Sequence, residues 1–324
     1  MTGAPTQAAA RRRWLIRLCG SALLLAGLFW VLPMDAVLGA LTSIPLAVFA
    51  AVLALFLAAH VGAALKWWGL LSRAIPVPLA LRAHYAGLAA NLCLPGAVGG
   101  DAVRAGLAHG ALRDGPRVVA AGAADRLIDM AALLAISLFG LLIAQQSGPG
   151  AGLVLQAGLI LAGVTLGFAA LPRLLPALWR IAPGLPGRGM AERLTAAFAD
   201  LARHPLRLAL ALVASVAIQT ALVLLSWWLA RAAGADVAPA LWIFAWPLAK
   251  IVAVLPVSLN GLGLREATLA AFLAPFGADP AVIVAAGLVW QAVLFAAGGI
   301  GALVLALSGR FVTTPPTDGK ETAK

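Results

Sequence analysis

Charged side chains are scarce in this sequence, and acidic ones are the scarcest. Only 11% of the 324 residues are charged, whereas 63% are hydrophobic and the mean hydropathy is +1.00. A water-soluble domain of this length needs far more polar surface than such a composition supplies. Repeated apolar runs of about twenty residues instead indicate helices that cross a membrane several times. The sequence therefore predicts an all-α, polytopic integral membrane protein.

Cysteine and histidine are also rare, which disfavours several kinds of site. The two cysteines, Cys19 and Cys93, lie in apolar surroundings without a CxxC pattern, so neither a redox pair nor a metal site is predicted. The four histidines lack the spacing of a metal site, and none is predicted to be a ligand. They are His60, His84, His109 and His204. No cofactor is expected.

The charge that is present is strongly positive, with 23 Lys and Arg against 12 Asp and Glu. In a soluble protein this excess would suggest a nucleic-acid partner, but no soluble module is recognisable that would carry one, and none is predicted. The connections at residues 33–43 and 145–152 contain no Lys or Arg, whereas the alternate connections are rich in arginine. Because positive residues favour the cytoplasmic side, both termini are predicted to be cytoplasmic.

The apolar runs predict six full membrane spans. They are expected at residues 14–32, 44–65, 118–143, 153–171, 208–229 and 281–307. A cleaved signal peptide is the weaker interpretation of the first, because that run is long for one. The "KWW" after the second span, and the pairs Trp67-Trp68 and Trp227-Trp228, are typical of membrane interfaces. A short interfacial helix is predicted within residues 172–207.

Two half-length segments, residues 77–110 and 237–276, interrupt this series and share a pattern. Each has Leu-Pro, then small residues and glycines, then an arginine beside an acid, then a short apolar helix. They read "NLCLPGAVGGDAVRAGLA" around Pro95 and "LPVSLNGLGLREATLA" around Pro256. We interpret them as re-entrant hairpins that enter from opposite sides. The halves 44–143 and 208–307 then form an inverted repeat, within a transmembrane domain of residues 11–310 flanked by disordered ends.

Two opposed hairpins predict a cavity at the membrane midplane, because non-helical backbone is tolerated there only where protein or water satisfies it. Free N–H groups at the helix breaks, together with the arginines, suit a phosphate. The predicted substrate-binding residues are Asn91, Pro95, Gly99, Gly100, Asp101, Arg104, Asn260, Gly261, Gly263, Arg265 and Glu266. The alternative is that the pairs Asp101–Arg104 and Arg265–Glu266 only stabilise the two kinks.

Further polar residues are expected near this cavity. Asp125 and Asp129 are four residues apart and share a helix face, and Arg126 is within i, i+3 reach of Asp129. They are predicted to form either a counter-ion or proton-coupling site, or salt bridges where the helix enters the membrane near the cytoplasmic surface. Lys250 either attracts an anionic headgroup or extends to the membrane interface.

Several of these motifs together resemble a known family. They are "NLCLPG" from Asn91, "GGDAVR" up to Arg104, "DRLID" from Asp125, and "LPVSLNGLGLREA". Over about residues 12–310 the chain resembles the transmembrane region of lysylphosphatidylglycerol synthases and the flippase-like proteins built on that region alone. The resemblance implies moving or presenting polar-headed lipids: aminoacylated phosphatidylglycerol, isoprenoid-linked sugars or hopanoid-type lipids. Asp101 stands where relatives often have glutamate. No soluble acyltransferase-like domain follows residue 310, so aminoacyl transfer is not expected.

The function predicted from these observations is the binding and flipping of a phosphate-containing lipid in a bacterial inner membrane. The alternatives are an integral-membrane enzyme, or a scaffold for enzymes of envelope lipid or lipid-linked glycan synthesis. An enzyme is disfavoured, because the sequence shows neither paired carboxylates in an outer loop nor a histidine-rich phosphatase pattern. The sequence does not identify the lipid, the energy coupling or the oligomeric state.

Overall fold

A computed structural model describes residues 42–93, 98–144, 188–254 and 261–308, together with positions 35, 38 and 39. Helices dominate these residues and no strand occurs among them, which confirms the all-α prediction. The helices are α1 Leu46–Leu70, α2 Val77–Cys93, α3 Val98–Leu112, α4 Gly115–Ala144, α5 Arg188–Ala202, α6 Pro205–Ala232, α7 Pro239–Val252, α8 Leu264–Leu273 and α9 Pro280–Ser308. A 3₁₀ turn, Ala274–Phe276, follows α8.

Four of these helices, α1, α4, α6 and α9, are long and apolar enough to cross a membrane. Their most apolar stretches have mean hydropathies of 2.1 to 2.4. They coincide with four of the six predicted spans, and the chain is a multi-pass membrane protein. The other two predicted spans, residues 14–32 and 153–171, lie outside the described residues. Helix α5 is found where the short interfacial helix is predicted.

Two helix pairs occupy the predicted hairpins. Helices α2 and α3 have 17 and 15 residues, and α7 and α8 have 14 and 10, so each is shorter than the spans around it. The breaks themselves, with Pro95, Pro256 and Asn260, lie outside the described residues. Gly261 and Gly263 lead into α8 with φ of 77° and 81°, a backbone conformation that glycine adopts without steric cost.

The packing of the helices has a two-fold pattern. Helix α1 packs along α6, while α2 packs mainly against α9 and α7 packs mainly against α4. Glycine permits both close crossings: a Cβ on Gly140 would lie 2.5 Å from the Phe244 nitrogen, and one on Gly301 would overlap the Tyr85 carbonyl. Each hairpin is thus held by the last long helix of the other half, as a two-fold repeat requires. The inverted direction of the repeat stays a prediction.

The end of α1 differs from the sequence expectation. The helix continues to Leu70, past the predicted end at residue 65. Lys66 is 7% exposed and Trp67 1%, so neither is the interfacial anchor that "KWW" suggests. The physical reason is charge, because Lys66 forms ion pairs with two carboxylates of α4 and Trp67 lies against Arg104 of α3.

Candidate functional site

A cavity of about 300 Å³ lies between the two helix pairs and the long helices. Both hairpins contribute to its wall, as predicted. Nine of the predicted site residues line it: Asn91, Gly100, Asp101, Arg104, Asp125, Arg126, Asp129, Lys250 and Arg265. Glu266 lies behind Arg265, and Gly99, Gly261 and Gly263 are not in the wall. Aromatic side chains also line it, among them Phe56, Trp246 and Trp290.

Arg104 of α3 joins the first hairpin to α4. Its Nη1 donates to Asp125 Oδ2 at 3.0 Å, and its Nη2 lies 3.3 Å from Asp101 Oδ1. The guanidinium carbon is 4.6 Å from the centroid of the Trp67 ring, and Arg104 is only 4% exposed. The arginine is therefore buried with its charge already compensated by two carboxylates.

Asp125 and Asp129 share one buried lysine. Lys66 Nζ lies 3.1 Å from Asp125 Oδ1 and also donates to Asp129 Oδ1. Asp129 Oδ1 accepts a second hydrogen bond, from Ser215 Oγ of α6. The shared helix face predicted for the two aspartates is confirmed. Their partner was missed, because a lysine beside two tryptophans at the end of an apolar run is typical of an interface.

Arg126 does not pair with Asp129, although the spacing allows it. Its Nε and Nη2 donate to Asp101 Oδ2 and Oδ1 at 2.6 and 2.7 Å, a bidentate pair. Asp129 is held by Lys66 and Ser215 instead, which leaves the guanidinium to the carboxylate across on α3. Three cations and three carboxylates thus form one network that links α1, α3 and α4.

The second hairpin holds a more local pair. Arg265 Nε and Nη2 donate to Glu266 Oε1 at 3.0 and 2.5 Å. Arg265 also reaches the Gly287 carbonyl at 3.4 Å and Gln291 Oε1 at 3.3 Å, both on α9. The side chain of Glu266 is fully buried and that of Arg265 is 8% exposed. No second carboxylate among the described residues takes part, so the pair is neutral by itself.

The helix starts beside the two breaks are not open to a ligand in the way the sequence suggests. The Gly100 N–H donates to Asn91 Oδ1 at 2.9 Å, and the Gly263 N–H donates to Glu266 Oε2 at 2.8 Å. The Arg265 N–H donates to the Gly261 carbonyl at 2.9 Å. The prediction of free N–H groups is therefore wrong at these positions, because nearby side chains and backbone cap them.

Lys250 of α7 is the cation with the fewest constraints. Its Nζ donates to Gln219 Oε1 of α6 at 2.7 Å and lies 5.2 Å from the centroid of the Trp246 ring. Within the described ranges it forms no ion pair with a carboxylate, unlike Lys66, Arg104, Arg126 and Arg265. It lines the cavity, so the alternative that it extends to the membrane interface is wrong.

Two histidines that the sequence shows as scattered meet at the cavity wall. His60 Nδ1 of α1 and His84 Nε2 of α2 are 2.9 Å apart, so one ring donates a hydrogen bond to the other. Phe56 and Tyr85 flank the pair. Their separation of 24 positions on two different helices carries no local signal. Among the described residues, no group of three or more His, Cys, Asp or Glu has the arrangement of a metal site.

Comparison with protein families gives a match over most of the chain. The family described as lysylphosphatidylglycerol synthase TM region matches residues 14–301. The match includes both hairpins, all the charged residues of the cavity and the long helices α1, α4 and α6. No curated protein and no solved structure matches the chain.

Proposed function

We propose that this chain, which belongs to the family of lysylphosphatidylglycerol synthase transmembrane regions, binds the phosphate-containing headgroup of a lipid in its central cavity and passes it between the two leaflets. The family links this multi-pass membrane protein to lipid handling. The observation that carries the finer proposal is the cavity itself, which is lined by both hairpins and by charged side chains inside an apolar helical bundle.

The chemistry of the cavity suits a lipid that has a charged headgroup and an apolar tail. A charged residue at the bilayer centre costs about 2.5–3.5 kcal/mol on insertion scales, and charged residues within membrane spans commonly mark a substrate or ion pathway. Seven charged side chains line the cavity, and Lys66 and Glu266 pair with three of them. The volume of about 300 Å³ is at the lower end of small-molecule sites, which suits a headgroup better than a whole lipid. Aromatic and aliphatic wall residues such as Leu88 and Trp290 suit the start of the lipid tail.

The helix packing supports alternating access to that cavity. Each hairpin is held by a long helix of the other half, so a shift of one half against the other moves the two hairpins in opposite senses. Both Asp125 and Asp129 contact Lys66 of α1, and Asp129 also contacts Ser215 of α6. We propose them as the coupling groups, since a change in their charge alters the contacts between these helices.

Leaflet exchange in proteoliposomes tests the function. A fluorescent phosphatidylglycerol is reconstituted with the protein, and the fraction bleached by an impermeant reductant is followed over time. Ala63→Trp, in the cavity wall, is expected to lower the exchange rate at least tenfold because the indole fills the headgroup space. Leu65→Trp is the matched control, since Leu65 lies on the same helix and is 40% exposed outside the cavity. Equal rates for the two variants contradict the proposal.

The same preparation separates the alternative functions. We expect lipid exchange without chemical conversion of the lipid. Turnover of lipids added to the purified protein, followed by mass spectrometry, identifies an enzyme instead. If the protein shows neither lipid exchange nor lipid turnover, the result favours a scaffold for envelope lipid-synthesis enzymes.

Residence in a bacterial inner membrane with both termini cytoplasmic is part of the proposal. The absence of Lys and Arg from residues 33–43 and 145–152 supports it. Single cysteines at Ser43 and Ser147 are expected to react with an impermeant reagent from outside, and one at Arg188 only after permeabilisation. The opposite pattern overturns the predicted orientation and, with it, the hairpin count.

A further inference from the structure

The charges around the cavity do not cancel. Five cations either line it or pair directly with a residue that does: Lys66, Arg104, Arg126, Lys250 and Arg265. Four carboxylates do the same: Asp101, Asp125, Asp129 and Glu266. Among the described residues the site therefore has one surplus positive charge. The sequence across the two breaks, residues 94–97 and 255–260, contains no ionisable side chain that would change this balance.

The surplus charge is located at Lys250. Every carboxylate of the group lies within 3.1 Å of a lysine or arginine nitrogen, and every other cation has at least one carboxylate partner. Among the residues that the structure describes, the only groups that stabilise the Lys250 ammonium are the neutral Gln219 oxygen and the face of Trp246. Both stabilise an ammonium group without neutralising it.

We propose that the cavity selects a headgroup of one net negative charge, a phosphodiester, and that Lys250 Nζ is its principal contact. This rests on the proposed function and specifies its substrate class. Lys250 has three N–H donors, and within the described part of the chain Gln219 alone accepts one of them, which leaves two for phosphate oxygens. A singly charged anion brings the site to neutrality, which matters because unbalanced charge is costly where the dielectric constant is low.

The same balance disfavours two other lipid classes. A zwitterionic headgroup leaves the surplus positive charge uncompensated, and a prenyl diphosphate carries more negative charge than the site offsets. Arg104 and Arg265 are then positioning residues that shape the wall, because their guanidinium groups are already bound to carboxylates. This assignment replaces the expectation that these two arginines themselves recognise the phosphate.

Competition between short lipids of different charge tests the proposal. The delipidated full-length protein in detergent is titrated with dihexanoyl phosphatidylglycerol, dihexanoyl phosphatidylcholine or geranyl diphosphate, and binding is measured by native mass spectrometry. We expect the wild type to bind the phosphatidylglycerol at least tenfold more tightly than either other probe. This preference order needs no variant, so it tests the proposal even if a substitution prevents folding.

Variants then locate the charge. Lys250→Met is expected to weaken phosphatidylglycerol binding about ten- to a hundredfold and to remove most of its preference over phosphatidylcholine, since a charge-assisted contact is lost and the site becomes neutral. Lys250→Arg keeps the charge and is expected to stay within about threefold of the wild type. Arg231→Met removes one positive charge outside the cavity, where Arg231 pairs with the exposed Asp236, and is expected to change nothing.

The outcomes separate the two proposals. A Lys250→Met protein that keeps the wild-type preference, or a wild type that prefers geranyl diphosphate or phosphatidylcholine, overturns the charge selection while leaving lipid exchange intact. A wild type that binds none of the three probes saturably and shows no exchange in proteoliposomes overturns the proposed function and this inference together.

Discussion

The two hairpins carry the same short pattern of residues and use it differently. In the first, Asp101 and Arg104 are shared with α4, where Asp125 and Arg126 complete a network that continues to Lys66 of α1. In the second, Arg265 and Glu266 close on each other, and Glu266 also caps the helix that carries it. A repeated motif therefore determines the residue types but not their partners.

Spacing explains part of this difference. Asp101 and Arg104 are three residues apart on a helix, so both side chains also reach the neighbouring α4. Glu266 is the third residue of α8, the position from which a glutamate turns back to the N-cap backbone. The facing helix differs too, since α9 offers Arg265 only a carbonyl and Gln291. We therefore expect the second hairpin to support the fold rigidly, and the first hairpin to change its contacts when the charge in the cavity changes.

The largest effect is expected at the second hairpin. Glu266→Gln leaves Arg265 buried without a carboxylate and weakens the cap of α8, so we expect a loss of about 3–5 kcal/mol in unfolding free energy. Unfolding of the purified protein in mixed micelles with increasing SDS measures it. The same substitution at Glu192, exposed on α5, is the control and is expected to cost less than about 1 kcal/mol. Similar losses at both positions would show that the buried pair is not the support we describe.

A glycine on α9 tests the same support from the other side. A Cβ on Gly287 would lie 2.5 Å from Glu266 Cγ, in the middle of the buried pair. Gly287→Ala is therefore expected to cost about 1–3 kcal/mol, as overpacked cores do. Gly299→Ala on the same helix has nothing within 4 Å of the new methyl group and is expected to be neutral or slightly stabilising. A neutral Gly287→Ala variant would indicate that the pair is loosely packed.

Much of the architecture is predictable from the sequence because its signals are local. A run of about twenty apolar residues and a Leu-Pro break each depend on a single segment, which is why four spans and both helix pairs are found where they are predicted. The partners of Lys66 and the meeting of His60 with His84 depend on which helices pack together. Whether an N–H group is free is also decided by a neighbour, as Asn91 shows for Gly100.

The first hairpin is expected to tolerate the loss of its own carboxylate better than the second. Asp101→Asn removes the pairs with Arg104 and Arg126, but Arg104 keeps Asp125 at 3.0 Å. We expect a loss of about 1–3 kcal/mol, the range for hydrogen bonds to charged groups, measured by the same unfolding assay. The variant also raises the positive surplus of the cavity by one. A loss as large as that of Glu266→Gln would remove the contrast between the hairpins.

The smallest effect is expected at Arg126, and it separates a network from a set of independent pairs. Nearly half of its side-chain surface is accessible, so water replaces much of the interaction that Arg126→Gln removes, and we expect a loss of about 0.2–1 kcal/mol in unfolding free energy.

A double-mutant cycle with Asp101→Asn then measures the coupling between the two residues. If Asp101 acts mainly through the buried Arg104, the losses of unfolding free energy caused by the two single substitutions nearly add in the double variant. If the bidentate pair with Arg126 holds Asp101 in place for Arg104, Arg126→Gln alone costs nearly as much as Asp101→Asn, and the double variant costs little more. This latter result would show that the first hairpin depends on one ion pair, as the second hairpin does. The part of the molecule that responds to charge would then lie outside the first hairpin.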